Sequence, residues 1–217
     1  MINRGIEEVG GPRSLTVVRS WTVVLNSDGK HGGGTIISEG SKLVVNGTIG
    51  SVSFANGDGT LGGAGFVGSI EGGQDFSGIA PGTSVGMLTV GGNVDLSAQT
   101  TLRVELAGTT AGAQYDRLNV GGAVDLAAAR LDVSLINGFV PAVGNQFTIV
   151  VSGGPITGQF LQGGRITAAG VQYAITYNPN EIVLTVTGLV QPILTVSKSG
   201  SGSGVVTSQD GMIDCGA

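Results

Sequence analysis

The sequence predicts an all-β protein built as a β-solenoid, a stack of similar strand-containing coils. The main observation is a repeat. Residues 88–106 read LTVGGNVDLSAQTTLRVEL and residues 118–135 read LNVGGAVDLAAARLDVSL, so the shared L-x-V-G-G-x-V-D-L recurs after 30 residues. The second observation is composition, with 41 glycines among 217 residues and only 12% charged residues. Without a G-X-Y period this excludes collagen, and it suits many short strands joined by tight turns.

Each copy of the repeat predicts three short strands separated by a glycine corner and a loop. Leu88 and Val90 are two residues apart, so both side chains point to one face of an extended strand. The pair Gly91 and Gly92 lets the chain bend where a Cβ atom would clash, and Val94 resumes the alternation. Because one unit has a single apolar face, it needs stacked neighbours to bury that face.

The second copy has a rival interpretation as a helix. Residues 123–135, AVDLAAARLDVSL, contain alanine, leucine and arginine, which are good helix formers. The equivalent stretch of the first copy, SAQTTLRVEL, is rich in threonine and valine, which favour strands. We therefore predict strands here, with a turn at 127–130.

Further strands are predicted on both sides of the repeat. Residues 15–25 form one long strand or two short ones, and residues 35–37 and 43–45 flank a Ser-Glu-Gly turn. Residues 43–49, LVVNGTI, resemble a degenerate copy of the repeat 45 residues before Leu88, which indicates coils of unequal length. Residues 171–187 predict a hairpin turning at Asn178-Pro179-Asn180 that caps the open end of the solenoid.

Charge and hydropathy exclude several function classes. The net charge is −5 with no basic stripe, which argues against nucleic-acid binding. No apolar run approaches the roughly 20 residues of a membrane helix. One cysteine excludes an internal disulfide framework. The first 14 residues lack the apolar core of a signal peptide, which fits a cytoplasmic protein or a fragment; the composition, typical of secreted bacterial β-proteins, favours the fragment.

A family resemblance covers about residues 43–187. Residues 59–68, GTLGGAGFVG, and residues 80–90, APGTSVGMLTV, are similar to strings in the passenger regions of bacterial autotransporters and related surface repeat proteins. Residues 115–120, YDRLNV, resemble that family's S-D-R-L-x-V, with Tyr115 in place of serine. The resemblance implies a right-handed parallel β-helix at the cell surface or outside the cell. No outer-membrane barrel follows in this chain.

The predicted organisation has four parts. Residues 1–14 are an irregular segment, residues 15–187 the solenoid, and residues 188–193 a linker. Residues 194–217 resemble the truncated start of a small β repeat module found in large bacterial surface proteins. The chain is thus expected to be a piece of a larger polypeptide.

Two glycine motifs favour turns over ligand sites. Residues 63–68 satisfy G-x-G-x-x-G, but no hydrophobic strand precedes them and no helix follows, so they predict solenoid corners and not a dinucleotide site. Residues 56–59, NGDG, resemble a calcium-binding glycine–aspartate turn. The tandem repeat that binds calcium is missing, which favours a plain turn.

Several charged residues occupy repeated positions. Asp95 and Asp125 are equivalent, and on adjacent coils their carboxylates would lie ~5 Å apart. Such a pair could bind a cation or shift a pKa, although simple surface charge is favoured. Four further outward charges could form weak pairs across coils, namely Arg103, Glu105, Arg130 and Asp132.

The sequence predicts no catalytic, cofactor-binding or metal-binding residue. A carbohydrate-active β-helix enzyme would need clustered carboxylates, and the 15 acidic residues are spread thinly. His31 lies in a glycine-rich turn, and Cys215 has no histidine near it in sequence, so nucleophilic chemistry is unsupported. Asn46-Gly47-Thr48 is a glycosylation sequon, which a bacterial origin makes a chance match.

The resemblance implies a non-enzymatic stalk or adhesin segment whose partners are surface glycans or proteins, without nucleic acid. Two alternatives remain: a carbohydrate-active enzyme of the lyase or hydrolase type, and a spacer without a ligand. A groove lined by acidic residues would favour the enzyme, and a smooth Thr/Ser/Asn face would favour the stalk.

Overall fold

The computed structural model describes residues 14–29, 33–55 and 57–190, together with two short strands near the C-terminus. Within these residues every regular element is a β-strand, and the strands are numbered β1 to β23 along the chain. Val206–Thr207 (β22) and Asp214–Cys215 (β23) pair with each other in an antiparallel ladder. The predicted all-β class is confirmed.

Most of the strands belong to three sheets. Sheet 1 has seven strands: β1 (Leu15–Val17), β3 (Thr35–Ser38), β6 (Val52–Ala55), β9 (Ile70–Glu71), β12 (Val94–Asp95), β15 (Val124–Asp125) and β18 (Ile156–Thr157). Sheet 2 has six: β2 (Thr22–Leu25), β4 (Lys42–Val45), β7 (Gly59–Gly63), β10 (Ser77–Pro81), β13 (Thr100–Leu106) and β16 (Arg130–Leu135). Sheet 3 has eight: β5 (Thr48–Ile49), β8 (Phe66–Val67), β11 (Met87–Val90), β14 (Arg117–Val120), β17 (Gln146–Ser152), β19 (Arg165–Ala168), β20 (Val171–Asn178) and β21 (Glu181–Leu189).

The chain passes through sheets 1, 2 and 3 in turn and then begins the next coil. Within each sheet, strands of successive coils pair in parallel along the stack, as when Val94 pairs with Val124 and Leu88 with Leu118. This parallel stacking of coils is consistent with a β-solenoid. The two sequence repeats are therefore neighbouring coils, in the register that their alignment predicts.

The core is a stack of aliphatic side chains enclosed by the three sheets. Leu135, the last apolar residue of the second copy, is partly buried, and the other apolar residues of the repeat are buried as predicted: Leu88, Val90, Val94, Leu96, Leu102, Val104, Leu106, Leu118, Val120, Val124, Leu126, Leu131 and Val133. Strand alternation places these residues inside and the intervening polar residues outside. Residues 123–135 form β15 and β16, so the helical alternative is wrong. Ala127 and Ala128 make the turn between these strands with positive φ.

Coil length varies mainly at the corner between sheets 2 and 3. Val52 pairs with Ile70 after 18 residues, whereas Val124 pairs with Ile156 after 32. The connections at this corner grow from the two residues 46–47 to the ten residues 107–116 and the ten residues 136–145. The predicted unequal coils are confirmed, and the inserted residues gather along one side of the stack.

The glycine corners exist because successive coils lie too close for a Cβ atom. A Cβ on Gly121 would overlap the carbonyl oxygen of Gly91, and a Cβ on Gly153 would overlap that of Gly121. Residues 150–157, VVSGGPIT, are therefore a third copy of the repeat, with Ser152 in the place of Val120. The sequence comparison missed this copy because its key valines and aspartate are replaced.

The assignment of residues 43–49 as a degenerate copy is wrong. Leu43 lies in β4 of sheet 2 and pairs with Leu61, whereas Leu88 lies in β11 of sheet 3. The residue at the position of Val94 in the earlier coils is Ile70 and, before it, Val52. Strands of all three sheets share the same apolar alternation, so the pattern alone did not identify the sheet.

The predicted hairpin is present and covers the last coil. Strands β20 and β21 pair with each other, and β21 adds to β17 in antiparallel orientation. The hairpin turn continues the cover toward sheet 1, because the N–H of Ile156 donates to the carbonyl of Pro179 at 2.8 Å. The side-chain amide of Asn180 donates to the carbonyl of Gly154, also at 2.8 Å.

Sheet 2 is covered at the same end by a side chain. The amide of Gln162 accepts from the N–H of Leu131 at 3.1 Å and donates to its carbonyl at 2.8 Å, as a neighbouring strand would. Phe160 is 2% exposed beside it, and its N–H donates to the Tyr177 hydroxyl at 3.1 Å. All three sheets are thus covered at the C-terminal end of the stack.

The remaining segments can be placed against their predictions. Residues 15–25 form two strands, separated by a turn with positive φ at Arg19 and Ser20. Strand β21 runs to Leu189, inside the residues 188–193 assigned to a linker. Residues 1–13 of the irregular N-terminal segment and most of 194–217 lie outside the described part of the chain.

Candidate functional site

The outer face of sheet 2 carries two adjoining concavities that share Thr60 and Arg103. The smaller, of about 250 Å³, lies at the start of the strands and is also bordered by Asp58, Phe76 and Thr101. The larger, of about 410 Å³, lies at their ends, with Lys42, Ser84, Glu105, Asp116, Asp132 and Ser134 among its lining residues. Together they are called the sheet 2 groove.

Arg103 lies at the junction of the two concavities because Gly78 leaves space for it. A Cβ atom on Gly78 would overlap the guanidinium of Arg103 and would come within 3.3 Å of the Thr60 hydroxyl. Gly78 faces Thr101 on one neighbouring strand and Thr60 on the other. The absent side chain therefore makes a hollow in sheet 2 that the arginine crosses.

Asp116 borders the larger concavity from the corner between sheets 2 and 3. It is 1% exposed, and its two carboxylate oxygens accept from the N–H of Gly86 at 2.7 Å and of Glu105 at 2.8 Å. Burial raises the pKa of Asp116 to about 7, although the two N–H donors favour the ionised form. Its carboxylate joins the connection 107–116 to its own coil and to the preceding one.

This contact joins two of the strings that the sequence analysis singled out. Gly86 belongs to the A-P-G-x-S-x-G string, and Asp116 belongs to the D-R-L string that follows 30 residues later. Gly86 is buried, and a Cβ atom there would overlap Gly82 at 2.6 Å. The two strings are thus the two halves of one contact between coils.

Three of the four outward charges predicted around the repeat line the groove, namely Arg103, Glu105 and Asp132. Arg103 faces Asp132 on the adjacent strand, which places these two residues in register for the predicted weak pair, whereas Glu105 faces the uncharged Ser134. Arg130 faces Thr101 on the same surface. The carboxylates of Glu105 and Asp132 and the cations of Lys42 and Arg103 therefore share one concave surface.

Asp95 and Asp125 pair in register on sheet 1, as predicted. Glu71 faces Asp95 on the other side and extends the row to three exposed carboxylates. The row lies on a different face from the sheet 2 groove. Within the described residues no group of three or more His, Cys, Asp or Glu side chains is arranged to hold a metal ion.

The two glycine motifs and the sequon named in the sequence analysis can be located in the structure. Gly63 and Gly65 occupy the corner between β7 and β8, where a Cβ atom would overlap the backbone of Val45 or Gly47, so the predicted corner is confirmed. Gly57 has a φ of 110° in the predicted turn, and its N–H donates to Asp75 at 3.0 Å. Asn46 of the sequon is exposed and donates to Asn26 at 2.8 Å.

The structure does not describe the side chains of the two residues considered for nucleophilic chemistry. His31 lies outside the described residues, and only the strand Asp214–Cys215 is described around Cys215. Sequence reasoning missed the groove residues Lys42, which lies in one coil, and Phe76 and Gly78, which lie together in another. Asp116 stood in a recognised string, but its contact with Gly86 has no local sequence signal.

The search for similar proteins gives no assignment. In the described part of the chain no helix is long and apolar enough to span a membrane. The chain matches no protein-family model, and no curated protein is significantly similar to it.

Proposed function

We propose that this chain is a non-enzymatic stalk or adhesin segment of a bacterial surface or secreted protein. The observation that carries the proposal is the stack of parallel coils, in which successive coils share main-chain ladders within sheets 1, 2 and 3. Such a stack holds its faces at fixed positions, as a rod that presents a binding surface requires. The family-like strings of residues 59–68, 80–90 and 115–120 support a location at the cell surface or outside the cell.

The proposal includes the right-handed coil of the autotransporter-type β-helix. Connections that join parallel strands of one sheet are right-handed in about 98% of known cases, because strand twist favours that hand. All the coil-to-coil pairs from β1 to β18 are of this parallel kind. The general rule therefore supports the hand that the resemblance implies.

The environment of Asp116 supports a structural role over a catalytic one. An acid with a pKa of about 7 beside a groove is a common sign of general acid–base catalysis. Here both carboxylate oxygens bind backbone N–H groups of the protein, and the side chain is 1% exposed. The carboxylate thus holds two coils together.

A carbohydrate-active enzyme is the second candidate, favoured by the acidic residues that line the groove. Because Glu105 faces Ser134 and Arg103 faces Asp132, Glu105 and Asp132 are diagonal neighbours on adjacent strands. Diagonal neighbours lie roughly 7–8 Å apart, within the roughly 5–9.5 Å that separates catalytic carboxylates in glycosidases. Cleavage of an oligosaccharide by the chain, and its loss in Glu105→Gln, would favour this candidate.

Surface accessibility tests the leading proposal. An epitope tag placed between Asn137 and Gly138 lies in an exposed turn, where even a Cβ atom on Gly138 would contact nothing within 4 Å. In the native host we expect antibody to label intact cells or to detect the tagged protein in the medium. A tag detected only after lysis would contradict the proposal, and a tagged cytoplasmic protein controls for cell integrity.

A further inference from the structure

The sheet 2 groove has an exposed aromatic ring at one end and polar groups along its length. Phe76 is 61% exposed at the mouth of the smaller concavity, next to Asp58 and the Thr60 hydroxyl. An exposed aromatic ring offers a flat apolar face on which the apolar face of a ligand can stack. A ring beside hydroxyl and carboxylate groups suits a ligand with an apolar C–H face and polar edges.

The polar groups of the groove are matched to hydroxyl groups. Thr60, Thr101 and Ser134 offer hydroxyls, Lys42 and Arg103 offer donors, and Glu105 and Asp132 offer acceptors. Neighbouring hydroxyls of a sugar both donate and accept hydrogen bonds, so a mixed set of this kind can bind them in pairs. The groove follows the strand direction of β13, whose seven residues span roughly 20 Å at about 3.3 Å per residue. That length accommodates several linked sugar units.

The charge of the groove favours neutral sugars over acidic ones. The carboxylates of Asp58, Glu105 and Asp132 outnumber the cations of Lys42 and Arg103. A polyanionic ligand would be repelled at this surface, whereas a neutral one would not. The charge balance therefore disfavours acidic polysaccharides and nucleic acids.

We propose that the sheet 2 groove binds a neutral oligosaccharide, with Phe76 stacked on one sugar ring and Arg103 bound to hydroxyls at the junction of the two concavities. The inference rests on the proposed adhesive function, to which it adds a ligand class. It also gives Gly78 a role, since only glycine at this position leaves space for the arginine.

Isothermal titration with defined hexasaccharides tests the inference. The probes are the β-1,4-glucan, α-1,4-glucan and β-1,4-mannan hexamers, with hexagalacturonate as the acidic comparator. We expect at least one neutral hexamer to bind and hexagalacturonate to bind at least tenfold more weakly. Binding by none of the neutral hexamers, or preferred binding of hexagalacturonate, would overturn the inference.

Three variants place the binding in the groove. Phe76→Ala and Arg103→Ala should each raise Kd at least tenfold. Gly78→Ala should raise it equally by displacing Arg103. The matched control is Trp21→Ala, because Trp21 is 69% exposed and lies outside the groove. Its Kd should stay within twofold of the parent, and equal losses in Trp21→Ala and Phe76→Ala would refute the site. Circular dichroism confirms that each variant is folded.

Product analysis of the same mixtures separates this inference from the proposed function. Binding in the groove with intact oligosaccharide supports both. Binding followed by cleavage supports the groove and refutes the non-enzymatic function. The absence of both binding and cleavage refutes the groove and leaves the stalk in place.

Discussion

Val124→Asp is expected to unfold the solenoid or to lower its stability by several kcal/mol. Val124 is 1% exposed and stacks between Val94 of the preceding coil and Ile156 of the next. The aspartate would lose roughly 1.5–3 kcal/mol of apolar burial and would place an unpaired carboxylate in the core. Val94→Asp should behave in the same way, because Val94 is 0% exposed.

Thermal and urea denaturation, followed by circular dichroism, measure the effect of Val124→Asp. The matched control is Asp95→Val, at the residue that follows the equivalent Val94, where the side chain is exposed. This control should stay within about 0.5 kcal/mol of the parent, as surface substitutions usually do. Equal stability of Val124→Asp and the parent would show that the inward assignment of the repeat is wrong.

Asp116→Ala is expected to destabilise the fold by roughly 2–5 kcal/mol, because two buried N–H groups lose their acceptor. These are the N–H groups of Gly86 and Glu105. Asp116→Asn should cost less, since its amide oxygen still accepts one of them. Urea denaturation of the parent and both variants gives the three free energies of unfolding.

The pH dependence of stability follows from the raised pKa of Asp116. Between its ordinary value of 3.8 and about 7, the folded state keeps a proton that the unfolded state has released. Stability from this group is therefore greatest in acid and falls as pH rises from about 4 to 7. At about 1.4 kcal/mol per pKa unit, the upper bound of this loss is roughly 4 kcal/mol.

Asp116→Asn lacks this titration, so its difference in stability from the parent should narrow as pH rises from 5 to 8. Denaturation at a series of pH values measures that difference. A difference that stays constant from pH 5 to 8 would mean that the two N–H donors offset burial and that the folded pKa is not raised.

Local sequence pattern predicted most of the strands and the core. The alternation of Leu88, Val90 and Val94 recurs at Leu118, Val120 and Val124. It was sufficient to predict which side chains are buried, because residues two apart in a strand lie on the same face. The same pattern could not assign residues 43–49 to the correct sheet, because strands in all three sheets have the same alternation of apolar and polar residues. The third copy at residues 150–157 was missed because its backbone geometry is kept while its side chains differ.

The candidate site could not be predicted because its parts are distant in the chain. Lys42, Phe76, Arg103 and Asp132 come from four different coils, and the variable coil lengths give them no fixed spacing. Similarly, the acceptor role of Asp116 depends on Gly86, which lies 30 residues earlier. Only the stacking of coils brings such residues together, so the register had to be known first.

A disulfide cross-link tests the stacked register most directly. Asp95 and Asp125 are exposed and in register on adjacent parallel strands, so cysteines there would have Cα atoms about 4.8 Å apart, within the range for a disulfide. With Cys215→Ser as the background, the pair Asp95→Cys and Asp125→Cys should oxidise within one chain, as shown by peptide mapping without reductant. The control pair Asp95→Cys and Asp132→Cys joins sheets 1 and 2 and should keep free thiols. A cross-link in the control pair and none between positions 95 and 125 would contradict the stacking of these coils.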